Sequence, residues 1–195
     1  MNYAGLIKVD LANGVGIRTS LFVSGCQFHC PECFNQPQQD FGYGKPYTEA
    51  TLGKITFELI KPYTEATLGR IAIELSKPYN SGLSILGGDP MWQDMNGMAD
   101  LECLCTVAHN LGKTVWLWSG FTWEELTQLN TKADATQLMR YDLLAHVDVF
   151  VDGRYEAKLK DPTLAWRGSS NQRVIDVKAS LHNDEIVLYK EASNV

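Results

Sequence analysis

No stretch of this 195-residue chain approaches the ~20 apolar residues that a membrane-spanning helix requires. The longest apolar run, around Val147 to Val151, is interrupted by Asp148. Residues Met1 to Gly5 offer neither a basic start nor the apolar core of a signal peptide, so the expected compartment is the cytoplasm. Positive charge is scarce: 17 Lys and Arg against 23 Asp and Glu give a net charge of −6, which argues against nucleic acid as a partner. No Ser-His-Asp or paired-carboxylate constellation stands out, and no linker or low-complexity segment divides the chain. What is present is ordinary for one globular domain spanning residues 1–195: 45% hydrophobic and 21% charged residues exclude disorder, collagen and coiled coil.

Cysteine is also sparse, but its placement is informative. There are five, an odd number in a chain without an export signal, which makes a poor disulfide framework. Cys26, Cys30 and Cys33 crowd into one short stretch with C-x3-C-x2-C spacing, and such a cluster reads as metal ligation. Three thiolates on one loop can hold three irons of a [4Fe–4S] cluster and leave the fourth open, since the usual complement is four cysteines. A closed Cys3His zinc site is the alternative, but His29 adjoins Cys30 and joint chelation of one ion looks strained. Cys103 and Cys105 lie two apart in a helical pattern. They point roughly 200° away from each other, and buried free thiols acting as small hydrophobes are expected there.

The pattern along the chain alternates strands and helices. Strands are expected at 19–24, 83–86, 114–118 and 147–151, and helices at 48–59, 64–76, 97–111 and 122–130, with Gly112 as a C′ residue. A hairpin turning at Asn13-Gly14 precedes them. Strands separated by helices imply parallel βαβ units and an α/β fold. Each strand runs into glycine and polar residues: Gly25-Cys26, then Gly87-Gly88-Asp89-Pro90, Ser119-Gly120 and Asp152-Gly153-Arg154. Ligands bind at the carboxyl ends of parallel strands, so the four loops imply one shared site. The Gly87-Gly88-Asp89-Pro90 turn lacks the Gly-Lys-Ser/Thr ending of a P-loop. Its glycines are expected to let the backbone approach a ligand, with carbonyls free to accept from an ammonium group. Asn13-Gly14-Val15-Gly16 fails the dinucleotide pattern, with Thr19 at the third glycine's place.

One segment is duplicated. KPYTEATLGKITFEL at 45–59 recurs as KPYTEATLGRIAIEL at 61–75, with 12 of 15 positions identical and a period of 16. Each copy carries an apolar stripe, Leu52/Ile55/Leu59 or Leu68/Ile71/Leu75, behind a possible N-cap at Thr48 or Thr64. Sixteen residues at about 100° each would set the stripes ~160° apart on one helix. Two helices separated near Pro62 are therefore expected, as a tandem duplication (45–60/61–76) of one peripheral helix. The copy nearer the second strand is expected to pack.

The C-x3-C-x2-C run followed by Phe34 resembles the radical S-adenosylmethionine (SAM) superfamily. Within it, the chain resembles the activating proteins of anaerobic (class III) ribonucleoside-triphosphate reductases. The matching stretches are Asp10 to Arg18, LFVSGCQFHCPECFN at 21–35, GGDP at 87–90, WLWSGF at 116–121, DVFVDGRY at 148–155 and WRGSSNQR at 166–173. The duplication departs from the pattern, which has one helix there. The resemblance implies a partial (βα) barrel of the radical SAM type, with parallel strands inside and helices outside. It implies a [4Fe–4S] cluster on Cys26, Cys30 and Cys33, and SAM as second cofactor. By resemblance, Glu32, Cys33, Phe34, Gly87, Gly88 and Asp89 would border the cofactors, while Ser119, Asp152 and Arg154 would contact the ribose and carboxylate of SAM. The implied activity is reductive cleavage of SAM to generate a glycyl radical on the large reductase subunit, with a flavodoxin- or ferredoxin-type electron donor. Another radical SAM enzyme and an iron–sulfur electron carrier are the alternatives. Arg18 and Arg167 read equally as anion holders, partner contacts or solvated charge, and the isolated histidines 109, 146 and 182 as core or solvated residues.

Overall fold

The computed structural model describes residues 1–47, 67–129 and 133–190. They build one seven-stranded sheet in the order β3-β1-β2-β4-β5-β6-β7. The strands are β1 (Asn2–Asp10), β2 (Arg18–Val23), β3 (Lys45–Pro46), β4 (Gly82–Gly87), β5 (Thr114–Trp118), β6 (Val149–Asp152) and β7 (Arg173–Asp176). The central four, β2, β4, β5 and β6, are parallel, whereas β1 and β7 run antiparallel to their neighbours. The α/β class and the four expected strands are therefore present, within a residue or two. The expected hairpin is β1 against β2, although Asp10 pairs with Arg18 and the connection is longer than a two-residue turn at Asn13-Gly14. Central parallel strands have both faces covered and read as continuous apolar runs. Every residue of β4 and β6 is buried accordingly.

The helices are α1 (Thr67–Leu75), α2 (Met95–Asn110), α3 (Trp123–Thr127), α4 (Ala135–Ala145) and α5 (Val177–Asn183). All five contribute to one apolar cluster against the same side of the sheet. Local chemistry starts them: the Asp94 and Asp176 carboxylates accept from Gly97 N and Ala179 N, and Thr122/Glu125 and Asp134/Gln137 form capping boxes. Gly112, at φ +69°, follows α2 as expected. Cys105 is buried on α2 and Cys103 packs at the margin of the same core, so both serve as small hydrophobes. The opposite side of the sheet carries a smaller cluster of Trp116, Val149, Val151 and Val174, flanked by Trp118, Trp166 and Tyr189. Among the described residues no helix is long and apolar enough to cross a membrane.

At the amino end of the parallel strands lies Arg18, only 1% exposed. Its guanidinium donates to Ser84 Oγ (2.7 Å), Leu83 O (2.6 Å), Thr114 O (2.9 Å), Thr114 Oγ1 (3.0 Å) and Val15 O (3.3 Å). It thus ties β2, β4 and β5 together and is neither an anion holder nor a solvated charge. Burial without an ion-paired carboxylate lowers its pKa to about 10. Gly82 makes room for it, since a Cβ there would sit 2.6 Å from Nη2 and 2.2 Å from Thr114 O.

The helix expected at 48–59 lies outside the described residues, as do the two candidate caps and the Pro62 turn. The described parts divide the repeat in an informative way. From the first copy come β3 and the buried Tyr47, whose N–H donates to Met1 O (3.0 Å). From the second comes α1, whose stripe Leu68, Ile71 and Leu75 is 2%, 0% and 0% exposed. Excising 45–60 would join Gly44 directly to KPYTEATLGRIAIEL, restoring Lys-Pro-Tyr to the strand and leaving α1 unchanged. Shortening a connection by one repeat changes closure entropy by only about 0.6 kcal/mol per doubling of length. The deletion variant is expected to fold with an unchanged or slightly raised Tm and undiminished iron uptake, measured by thermal unfolding and iron analysis. A variant that loses both would show that the whole duplicated unit is needed.

Candidate metal and cofactor site

The carboxyl ends of β2, β4, β5 and β6 open into a cavity of about 360 Å³. Its wall includes Cys26, Cys30, Cys33 and Phe34 after β2, Gly87 to Asp89 after β4, Ser119 and Gly120 after β5, and Gly153 and Tyr155 after β6. The four strand ends thus meet at one place.

The cysteine loop is shaped by its backbone. His29 (φ 49°) and Glu32 (φ 56°) both adopt the left-handed region, uncommon for residues with a Cβ, and these turns bend the segment around the three thiols. None of the thiols forms a disulfide, and all three are half-buried. Asn35 N–H donates to Cys33 Sγ at 3.4 Å. The three sulfurs do not all lie within 4.8 Å of one another. Among the described residues, only Glu102, Asp142 and His146, away from this cavity, form a possible ligand group that close. A single zinc at about 2.3 Å from each sulfur would need them about 3.8 Å apart. The corners of a multi-iron cluster accept a wider spread, so the donor set fits a cluster better than one tetrahedral ion. His29 instead meets Gln39 Oε1 (3.1 Å).

The glycine turn also packs closely on the cysteine loop. A Cβ on Gly88 would stand 2.6 Å from Gln38 O, 2.7 Å from Gly25 O and 2.8 Å from Gly25 N. Gly87, at φ +113°, would place one 2.5 Å from Val23 O. The missing Cβ atoms therefore admit the backbone of the cysteine loop, while Gly87 and Gly88 still line the cavity. Hydrogen bonds fill the approach: Gly88 N to Val23 O (2.8 Å), Asp89 N to Gly25 O (2.8 Å), Gly25 N to Gln38 O (2.8 Å) and Cys26 N to Gln39 O (3.0 Å).

Asp89 is 1% exposed and its carboxylate accepts from Ser119 Oγ (2.9 and 3.0 Å), Gly120 N (2.7 Å) and Met91 N (2.9 Å). It locks the β4 turn to the β5 turn. Burial pushes its pKa up to about 6 against those hydrogen bonds. Burial also raises the Cys26 thiol to about 12, with the Asp89 charge adding to it, and raises Cys30 with help from Cys33.

Not every expected residue reaches the cavity wall. Asp152 is 1% exposed and faces the helical side, accepting from Trp123 N (2.8 Å) and from the Arg173 guanidinium, including Nε at 3.0 Å. Arg173 also bridges to Glu124 (2.8 Å) and holds that carboxyl down at about pKa 2. Arg154 pairs with Glu125 (2.9 Å) and lies over Phe28, 4.4 Å from the ring centre. Glu32 is exposed, outside the wall. Conversely, Asn13, Trp118, Tyr155, Trp166 and Gln172 line the cavity without having been singled out as site residues, and so does Arg167, for which anion holder was one of several readings. The signal for three of these was available in the WRGSSNQR segment. His109 also acquires a partner, Asp148 Oδ2 at 2.8 Å, beyond the cavity.

A family model described as a 4Fe-4S single cluster domain matches residues 12–175. The anaerobic ribonucleoside-triphosphate reductase-activating protein of Escherichia coli K12 is 35% identical over 175 residues, covering 89% of this chain and 97% of that protein. The protein so named in Vibrio cholerae is 36% identical over 173 residues (88% and 96% of the two chains). That of enterobacteria phage T4 is 33% identical over 175 residues (89% and 93%).

Two predictions follow from this geometry. Gly88→Ala is expected to push the cysteine loop off the glycine turn and lower iron bound after reconstitution, with little loss of helical signal; wild-type iron content would refute the packing role. In the metal-free protein at pH 8, Cys26 is expected to be mostly neutral, with a thiolate fraction about a thousandfold below that of a thiol of pKa 9.0. Its alkylation, followed by mass spectrometry, should be far slower than that of an unstructured cysteine peptide and still be rising with pH above 10.

Proposed function

The chain belongs to the family of anaerobic ribonucleoside-triphosphate reductase-activating proteins, and we propose that it activates such a reductase by generating a glycyl radical on its large subunit. The observation that carries this reading is the convergence of Cys26, Cys30 and Cys33 with the ends of four strands around one cavity. On this reading the whole chain is a single radical SAM domain, and the strands and one-sided helices are the partial barrel of that type. Helices on one side of the sheet and a cavity at the strands' carboxyl ends support it.

Cys26, Cys30 and Cys33 would hold a [4Fe–4S] cluster with SAM beside it. When bound, these groups supply a one-electron cleavage and the hydrogen abstraction from the target glycine. The chain supplies the rest. The three thiols lose their protons as metal binds, which burial resists in the free protein. Asp89 keeps the β4 and β5 turns in fixed relation, so Ser119 and Gly120 are presented on a rigid wall. Phe28, Trp118, Tyr155 and Trp166 line the cavity with rings and limit water around reactive species. The Gly87-Gly88 backbone would offer carbonyl oxygens to the ammonium of SAM. Asp152 and Arg154 act from behind the wall, through the starts of α3 and β7. A flavodoxin- or ferredoxin-type donor, with the half-buried Cys30 and Cys33 close to the surface, would deliver the electron in the cytoplasm.

The test is anaerobic reconstitution with iron and sulfide, followed by reduction and addition of SAM and a candidate large subunit. Methionine release and a glycyl radical in the electron paramagnetic resonance spectrum are expected. Alanine at Cys26, Cys30 or Cys33 should abolish both and cut bound iron, whereas Cys103→Ala and Cys105→Ala should retain iron. A cluster-loaded protein that releases no methionine from SAM would overturn the reading. Methionine release without a radical on the reductase would point to a different radical SAM substrate.

A further inference from the structure

Away from the strand-end cavity, the helical side of the sheet brings Glu102, Asp142 and His146 together. Asp142 lies on α4 and His146 caps its carboxyl end, four residues on and therefore on the same face. Glu102 comes from α2. Leu101, Leu104 and Cys105 of α2 and Leu143 and Leu144 of α4 share the main apolar core, which fixes the two helices relative to each other. One ligand atom from each of the three side chains lies within 4.8 Å of the other two.

The imidazole is already set for coordination. Its Nδ1 meets Asp142 O at 2.9 Å, and a carbonyl only accepts, so in the neutral ring Nδ1 carries the proton and Nε2 the lone pair. Metal-ligating histidines are held in this way through their second nitrogen. Nε2 stands 3.8 Å from Glu102 Oε1, too far for a hydrogen bond. One ion with bonds of about 2.0–2.1 Å to each would span up to about 4.1 Å. The Asp142 carboxylate is exposed and has no hydrogen bond or ion pair among the described residues, so it can turn onto the same point.

The charge of the cluster points the same way. Two carboxylates meet here with no lysine or arginine in ion-pair contact among the described residues. By contrast, the His109–Asp148 pair also holds Lys178 Nζ at 2.6 Å, which answers its charge. The carboxyl end of α4 adds the negative pole of the helix dipole, which favours a cation.

We propose that Glu102, Asp142 and His146 are a three-ligand site for one zinc ion, with water completing a tetrahedron, and that the ion clips α2 to α4. An imidazole beside two carboxylates suits zinc, whereas magnesium and calcium take oxygen ligands throughout. An ion held only by the folded chain stabilises it by mass action. The site shares no residue with the cysteine loop, and the inference does not depend on the SAM reading.

Cluster-loaded protein, whose loop cysteines are occupied by iron, is titrated anaerobically with zinc chloride by calorimetry and then studied by zinc-edge X-ray absorption. One zinc per chain is expected, with nitrogen and oxygen neighbours at about 2.0–2.2 Å and no sulfur shell at about 2.3 Å. The wild-type Tm should rise with zinc and not with magnesium. His146→Ala and Glu102→Gln are each expected to weaken zinc about tenfold or more and to remove the Tm response. Their zinc-free Tm should stay near that of wild type, which separates lost ligation from lost folding. Asp142→Asn, at an exposed position, should weaken zinc in the same way and keeps the test open if either half-buried variant folds poorly. Zinc found only with sulfur neighbours, or bound equally well by wild type and the variants, would overturn the site. A Tm unmoved by bound zinc would overturn the clip.

Discussion

Two backbones touching without side chains between them organise the site. Gly25, at the end of β2, and the Gly88-Asp89 turn, at the end of β4, stand in hydrogen-bond contact, with Asp89 N bonded to Gly25 O at 2.8 Å. The contact is possible because Gly88 has no Cβ to strike Gln38 and Gly25. Once it is made, the thiol-bearing loop has its register relative to the sheet. Asp89 then carries that register onward to β5 through Ser119 and Gly120. A buried carboxylate is costly unless its lone pairs are filled, and here backbone and hydroxyl donors fill them.

The two ends of the parallel strands are secured by opposite charges. Arg18 gathers carbonyls and hydroxyls of three strands at the amino end, and Asp89 gathers amides and a hydroxyl at the carboxyl end. Among the described residues neither forms a salt bridge. Each is instead matched to uncharged groups, which leaves the mouth of the cavity with Arg167 as its only basic lining residue among those described. Removing either charged group would orphan several buried partners at once, which is why such networks tolerate little change. Asp152 belongs to the same design: with Arg173 and Trp123 it anchors the start of α3 and the antiparallel strand β7.

The duplicated segment illustrates how a chain absorbs an insertion. Strand and anchor come from one copy, the packed helix from the other, and a repeat period separates them. Both ends keep their contacts, Tyr47 with Met1 and Leu68, Ile71 and Leu75 with the core.

Much was legible in the residues themselves. Apolar runs bounded by glycine gave the four parallel strands, because strands covered on both faces leave that pattern. The C-x3-C-x2-C spacing put three thiols on one loop, because residues so close in sequence must be close in space. Side-chain direction was not legible. Asp152 and Arg154 follow β6 just as Ser119 follows β5, yet packing turns the first toward α3 and the second onto Phe28. Gly88 reads as ligand clearance, and only the structure shows that its missing Cβ also admits the cysteine loop. Arg18 and Arg167 look alike in sequence. Long-range partners decide between them, since Thr114, Leu83 and Ser84 surround one while the other lines the cavity. The sequence by itself determined which strands form and where their loops gather, for those depend on local periodicity and spacing. Which charges are spent on the fold was settled only by tertiary packing, because that depends on neighbours tens of residues away.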